Sequence, residues 1–407
     1  MNIRHYGLCV LLVAASGSRA AAPDSLSTGH YLALASDCAA CHTAEKGQPF
    51  AGGLKMQTPI GALYSTNITP DARTGIGDYS YEDFARALRE GKARDGRNLY
   101  PAMPYTAFSK FDDPQMHALY DYFTHEVPAV RQENRKSDIP WPLNIRWPLG
   151  VWNLLFHDDT RYLNDPLHSG QWNRGAWLVL GPGHCGSCHT PRGFALQEKG
   201  QDHHDSAYLT GGTLNGWQAP DLRGNNVRGL GGWSQQDIVT FLKTGQNDRT
   251  MAFGPMTDVV EKSTQYLTLA DLNAIAVFLK SLPAGTYSTE LASEDYADLN
   301  SPGAALYSDN CAACHRSDGR GYARTFPALA GNAALQGNDP SSLISMILHG
   351  GRAPVTRQAL TGTRMPDFGW RLTDQQVAAI SNFVRNSWGN QASEVTPEQV
   401  KDVRGGE

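Results

Sequence analysis

Apolar residues fall into short stretches with three- and four-residue spacing, and these stretches recur in three sets. Each set opens with a glycine followed by an aromatic residue: Gly29 with Tyr31, Gly175 with Trp177, Gly303 with Tyr307. A second helix then runs from a polar start to a glycine stop. Its copies are Ser80 through Tyr81, Phe84, Ala87 and Leu88 to Gly91; Ser234 with Asp237 through Ile238, Phe241 and Leu242 to Gly245; and Asp339-Pro340 through Leu343, Met346 and Ile347 to Gly350. A third helix closes each set, with Asp113-Pro114 leading to Leu119 and Phe123, Thr268 to Ile275 and Phe278, and Thr373 to Ile380 and Phe383. Thr268-x-x-Asp271 and Thr373-x-x-Gln376 are capping-box patterns, whereas Asp113-Pro114 is a cap followed by proline at the first helical position. The pattern predicts an all-α chain of three tandem units.

At 407 residues the chain has room for such an arrangement. Near its start, Arg4 and His5 precede an apolar run from Gly7 to Ala15 and the small residues Ser18, Ala20, Ala21 and Ala22. This is the layout of a cleaved secretory signal over residues 1–22, because the run falls short of the about 20 residues a membrane span needs. Later in the chain, Ala274 to Leu279 is interrupted by Lys280, and the stretch from Val395 to Glu407 is polar. The formal net charge is −5, and becomes −7 once Arg4 and Arg19 leave with the leader. Without a basic stripe, a nucleic-acid partner is excluded.

Between the first and second helix of each set stands Cys-x-x-Cys-His, at Cys38-Cys41-His42, Cys185-Cys188-His189 and Cys311-Cys314-His315. These account for every cysteine except Cys9, which lies in the leader. Two thiols at this spacing form thioethers to a haem's vinyl groups, and the following histidine lies under the ring as proximal iron ligand. A zinc ribbon needs two such pairs about 15–20 residues apart, and a thioredoxin-like pair does not call for histidine at a fixed offset. Three covalently bound haems c follow, and with them one-electron transfer. Because bacteria form these thioethers outside the cytoplasmic membrane, the expected compartment is the periplasm.

The repeat register also nominates the sixth ligands. Met103 lies twelve residues after Gly91, Met256 eleven after Gly245, and Met365 fifteen after Gly350. Each stands beside proline in what reads as a rigid loop, and a neutral thioether raises the reduction potential. Met251, Met116, Met346 and Met56 fit the register less well. His203-His204 offers histidine ligation of the second haem as an alternative, although its neighbours Gln201, Asp202 and Asp205 read as a solvated loop.

Further stretches resemble a family, the triple-haem cytochrome c subunits of bacterial membrane-associated dehydrogenases that oxidise alcohols, gluconate or sorbitol. Ser65-Thr66-Asn67-Ile68-Thr69-Pro70-Asp71, Gly75-Ile76-Gly77 and Tyr100-Pro101-Ala102-Met103-Pro104-Tyr105 look like its first domain. Trp172-Asn173-Arg174-Gly175-Ala176, Gly183-His184-Cys185-Gly186 and Ala219-Pro220-Asp221-Leu222 look like its second. Phe326-Pro327-Ala328-Leu329-Ala330-Gly331-Asn332 is a more general feature of class I cytochromes c, and the likeness extends over residues 26–390.

The resemblance implies three tandem class I cytochrome c domains joined by loop-rich linkers: 23–130, 166–285 and 301–392, with a Trp/Pro-rich linker at 131–165, a second linker at 286–300 and a polar tail at 393–407. It implies Cys38, Cys41, His42 and Met103 for haem one, Cys185, Cys188, His189 and Met256 for haem two, and Cys311, Cys314, His315 and Met365 for haem three. A prolyl carbonyl orients the proximal histidine in the class I pattern, which nominates Pro327 for His315 and leaves the first two units open.

It further implies a large dehydrogenase subunit carrying flavin or pyrroloquinoline quinone, a possible small subunit, and ubiquinone or a respiratory chain as acceptor, with peripheral association at the outer face of the cytoplasmic membrane. The cytochrome itself does not oxidise the sugar or alcohol. Some relatives end in an apolar anchoring tail that this chain lacks; the linker's Trp141, Trp147, Val151, Trp152, Leu154, Leu155 and Phe156 either pack between domains or against a partner subunit, or touch lipid. Two rival functions are a free periplasmic shuttle to an oxidase or reductase and an enzyme acting directly at a haem, such as a peroxidase.

Overall fold

A computed structural model describes residues 26–285 and 298–406, so the proposed leader and most of the second linker lie outside the described residues. The first segment contains α1 (Thr28–Ala35), α2 (Cys38–His42), the hairpin β1 (Lys55–Thr58) and β2 (Gly61–Tyr64), α3 (Tyr81–Glu90), α4 (Tyr105–Phe108) and α5 (Asp113–Asp121), which continues as a π-helical turn, Tyr122–Glu126. In the linker, α6 spans Pro148–Phe156. The second segment contains α7 (Gly170–Leu180), α8 (Gly186–His189), the hairpin β3 (Gly212–Leu214) and β4 (Trp217–Ala219), α9 (Gln235–Thr244), α10 (Pro255–Lys262) and α11 (Leu269–Ser281). The third contains α12 (Pro302–Asn310), α13 (Ala312–His315), α14 (Ser341–His349), the short pair β5 (Gly351–Arg352) and β6 (Arg364–Met365), α15 (Asp374–Arg385) and α16 (Pro397–Gly405).

Among the described residues helices dominate, but three two-stranded antiparallel pairs correct a strictly all-α expectation. Ladders of two to four residues are too short to show in a helical periodicity, and they satisfy backbone groups in the long excursions between helices. The capping-box reading holds at Thr373–Gln376, and the starts read at Ser80 and Ser234 are boxed with Asp83 and Asp237, both reciprocal bonds being present. At Thr268 only half of the expected box forms: the hydroxyl accepts from Asp271 N at 3.1 Å, but the Thr268 N–H goes to the Tyr31 hydroxyl because the Asp271 carboxylate is taken by Arg174 and Tyr31. At α5 the cap is Asp112, boxed with Gln115, rather than Asp113. The polar tail folds as α16, whose Val400, with Val395 before it, is buried in the third core. Arg404 fastens it to Asp374 at 2.8 Å and to the carbonyl of Leu372 at 2.9 Å.

The opening glycines are crossing points, where α1 packs on α5, α7 on α11, and α12 on α15. A Cβ at Gly29 would lie 2.0 Å from the Ala118 carbonyl oxygen, at Gly175 2.0 Å from that of Ala274, and at Gly303 2.2 Å from that of Ala379. Hydrogen at these positions lets two backbones touch. The aromatic residues named with them are buried or half-buried, Trp177 against Phe111 and Tyr307 against Phe383 and Trp388.

The first two segments share one apolar core, running from Leu32 and Phe123 to Trp172 and Phe278, while the third has its own around Ile344, Ile380 and Phe383. Asp271 pins that shared core together. Its oxygens accept from Arg174 Nε and Nη2 at 2.7 and 2.8 Å and from the Tyr31 hydroxyl at 2.6 Å, across the two segments. Burial pushes the Asp271 carboxyl up, but the hydrogen bonds from Arg174 and Tyr31 and the guanidinium charge outweigh it and hold the carboxyl below its usual range. This stabilisation is therefore present above the ordinary carboxylate pKa and disappears as pH falls through the lower folded one. Asp271→Asn is expected to cost on the order of 1–2 kcal/mol at neutral pH and to flatten the acid limb of stability, as read by urea unfolding at several pH values. An unchanged acid limb would refute the assignment.

Candidate functional site

Each motif lies on a short helix that follows the first helix of its segment. α2 and α13 end at His42 and His315, and α8 at His189. Each histidine turns Nδ1 to a backbone carbonyl: His42 to Thr66 at 2.7 Å, His189 to Pro220 at 2.7 Å, His315 to Pro327 at 3.0 Å. A carbonyl oxygen only accepts, so Nδ1 carries the proton and Nε2 keeps the lone pair. Burial lowers all three histidines, which keeps the rings neutral, as an iron ligand must be. The donor set thus fits a c-type haem at each motif.

Thr66 and Pro220 are the orienting residues that the sequence left open. Each backbone returns in a parallel way: Gly52, Gly211 and Gly321, all at positive φ, donate to the carbonyls of His42, His189 and His315. The shared signal is the apolar residue two positions after the orienting carbonyl. Ile68, Leu222 and Leu329 each donate a backbone N–H to the loop opposite, to Phe50, Leu209 and Gly319. Aligning Thr66-Asn67-Ile68 with Pro220-Asp221-Leu222 and Pro327-Ala328-Leu329 finds all three.

Burial pushes the Cys38, Cys185 and Cys311 thiols up, the latter two to about 12. These are not the low-pKa thiolates of a redox pair. Among the described residues no three His, Cys, Asp or Glu side chains converge as a metal cluster, which weighs against the zinc alternative.

Met103 sits half-buried in a turn, packed against the shared core that Cys38 and Cys185 also line, and Met365 packs against the third core with Cys311. Two methionines occupy regular structure instead of loops. Met256 is in the first turn of α10, after Pro255, and Met365 is in β6 opposite Gly351. The first two registers match in space: Leu99 N bonds the Gly91 carbonyl at 2.6 Å and Ala252 N that of Gly245 at 2.8 Å, with the methionine four residues later each time. In the third, Met365 itself belongs to the closing ladder, which accounts for its longer interval. It also walls an open cavity of about 450 Å³ with His349, Arg352, Arg364 and Asp367. Met116 is fully buried filler, Met251 lies in a bridge with Gln246, and Met56 is in β1. His203 is wedged edge-on against Trp172 and Phe278, correcting its reading as part of a solvated loop, while His204 is exposed.

The motifs of the first two segments adjoin. His184 Nε2 is 3.4 Å from the Ser36 carbonyl, and α10 packs on α2. In the linker, Trp152 donates to the Ala195 carbonyl at 2.9 Å and Asn153 accepts from the Tyr105 hydroxyl at 2.7 Å, whereas Trp141, Trp147, Leu154 and Leu155 stay exposed. Among the described residues no helix is long and apolar enough to cross a membrane.

Comparison with known proteins agrees with this chemistry. The Cytochrome c family matches residues 301–388. The gluconate 2-dehydrogenase cytochrome c subunit of Pantoea cypripedii is 49% identical over 92% of this chain and 88% of its own length. The cytochrome c subunit of the quinone-type alcohol dehydrogenase of Gluconobacter oxydans is 46% identical over 98% of this chain and 86% of its own length, and the fructose dehydrogenase cytochrome subunit of Gluconobacter japonicus 40% identical over 94% and 83%. With the histidine geometry, these likenesses place the chain in the family of cytochrome c subunits of gluconate, alcohol and fructose dehydrogenases, whose prosthetic group is covalently bound haem c.

Proposed function

We propose that the chain binds three haems c in three tandem class I cytochrome c domains and relays electrons from a partner dehydrogenase subunit, carrying flavin or pyrroloquinoline quinone, to ubiquinone or another respiratory acceptor. The observation that carries this reading is the threefold histidine arrangement, each ring held at Nδ1 by a carbonyl at 2.7–3.0 Å. Cys38 and Cys41, Cys185 and Cys188, and Cys311 and Cys314 form the thioethers.

The one-electron couple is supplied by the bound haem. His42, His189 and His315 would hold the iron through Nε2, in an orientation set by the carbonyls of Thr66, Pro220 and Pro327, which fix each ring and its basicity. Met103, Met256 and Met365 would also hold the iron, supplying a neutral soft donor that favours the ferrous state and leaves no position for peroxide or oxygen. The buried apolar cores exclude water and limit the charge rearrangement that accompanies each transfer. The second segment touches both others, which supports a relay in which it is the middle station.

The chain works outside the cytoplasmic membrane in this reading. The exposed apolar strip of the linker, with Trp147 72% and Leu154 84% exposed, supports peripheral docking on the partner subunit or the membrane surface. A haemochrome assay is expected to give three haems per wild-type chain and two for Cys185→Ala/Cys188→Ala. One haem per wild-type chain refutes the count. Co-purification with a flavin or quinone dehydrogenase subunit tests the relay, and full function in isolation favours a free shuttle.

A further inference from the structure

α10 belongs to the second segment, packs on α2, which carries the first motif, and reaches the third segment at Arg352. Its first turn carries Met256, and its Asp258 and Glu261 face Arg352 of the third segment. The last contact is the most specific. Glu261 Oε2 accepts from Arg352 Nη2 at 2.8 Å, while Oε1 accepts from Arg352 Nη1 and from the Val355 backbone N–H, the latter at 2.7 Å. Both carboxylate oxygens are used by one loop, a charge-assisted fork that fixes direction as well as distance.

Neighbouring contacts hold the same loop. Thr257 donates to the Arg352 carbonyl at 3.4 Å, and a Cβ at Gly245 would stand 2.0 Å from Pro354 Cγ, so that glycine admits the third segment's loop. Arg352 also stands opposite Arg364 across the β5–β6 pair, where like charges repel. Glu261 and Asp258 offset that repulsion. The residue before Arg352 is Gly351, the ladder partner of Met365. A run of stiff elements therefore joins the two distal methionines: Met256, one and a half turns of α10, the Glu261–Arg352 fork, and the β5–β6 ladder to Met365.

We propose that Glu261 and Arg352 are positioning residues for electron transfer between the second and third haems: their ion pair fixes the separation of the segments bearing Met256 and Met365. The proposal rests on the three-haem reading above. Tunnelling decays exponentially with edge-to-edge distance, so a loosened fork slows one inter-haem step and leaves the step between the first and second haems alone.

The test compares the wild-type holoprotein with Glu261→Gln, Arg352→Gln, the double variant and Arg352→Lys. The readouts are haem count, the methionine-to-iron charge-transfer band, iron–iron distances in the oxidised protein by dipolar EPR, and inter-haem equilibration after photoreduction. In both single variants we expect three haems, intact bands, one broadened iron–iron distance, and one equilibration step slowed about tenfold, since small misplacements of reacting groups change rates by one or two orders of magnitude. The double variant should be no slower than the slower single variant, as expected of a coupled pair, and Arg352→Lys should fall between wild type and Arg352→Gln. Wild-type distances and rates in both single variants overturn the proposal. So does loss of a charge-transfer band, because the pair would then support ligation instead of spacing. Fewer than three haems in the wild type sinks the underlying reading, and is seen before any variant is made.

Discussion

Met256→Leu is expected to leave all three haems attached and to lower the potential of one of them by on the order of 0.1 V, within the ~0.8 V range that axial ligands span. Thioether attachment depends on Cys185 and Cys188, which the substitution does not touch. Leucine nearly matches methionine in volume and favours helix, so the first turn of α10 should survive at a cost below about 1.5 kcal/mol. What disappears is the neutral soft donor, and with it the preference for ferrous iron. The open position should also bind an added ligand such as cyanide at one haem in three. A potentiometric titration with all three potentials unchanged would refute Met256 as ligand and return attention to Met251, whose sulfur lies 3.8 Å from the Thr363 hydroxyl.

Gly175→Ala should destabilise the shared core of the first two segments by on the order of 3 kcal/mol, although helix propensity alone predicts a gain of about 1 kcal/mol. The two effects have opposite signs, so the direction is diagnostic. A Cβ at this position would stand 2.0 Å from the Ala274 carbonyl oxygen and 3.0 Å from Phe278 Cβ, and backbone inside a packed helix pair cannot yield as a flexible side chain would. α7 and α11 would have to separate, and with them Trp172 and Phe278, which pack edge-to-face at 5.1 Å. Gly170→Ala, at the open start of the same helix with nothing within 4 Å, is the control and should be neutral or slightly stabilising. Denaturant unfolding of the holoproteins makes the comparison. Equal stability of Gly175→Ala and wild type would mean that the crossing can relax.

Much of the site could be read from residue order because haem attachment is local chemistry. Two thiols and a histidine within five positions declare themselves without a fold, and the capping boxes at Ser234 and Thr373 mark helix starts for the same reason. Thr66 and Pro220 escaped because a backbone carbonyl can come from any residue, and these return to their histidines from 24 and 31 positions away. The α5 cap was misplaced by one residue because Asp112 and Asp113 are both competent, and only the bond to Gln115 distinguishes them. The tail reads only as polar because Val395 and Val400 are sparse among polar residues, yet one buried face suffices for docking.

The sequence by itself determined the motif chemistry, the threefold recurrence of helix patterns and a candidate methionine for each repeat, all of which depend on residue type and short spacing. Only the tertiary structure decided that Gly29, Gly175 and Gly303 are contact points between backbones, that the first two segments share a core while the third keeps its own, and that α10 packs on α2 of the first segment while pairing with Arg352 of the third. Such properties depend on which surfaces meet, and close packing between residues a hundred positions apart leaves no periodic trace in the chain.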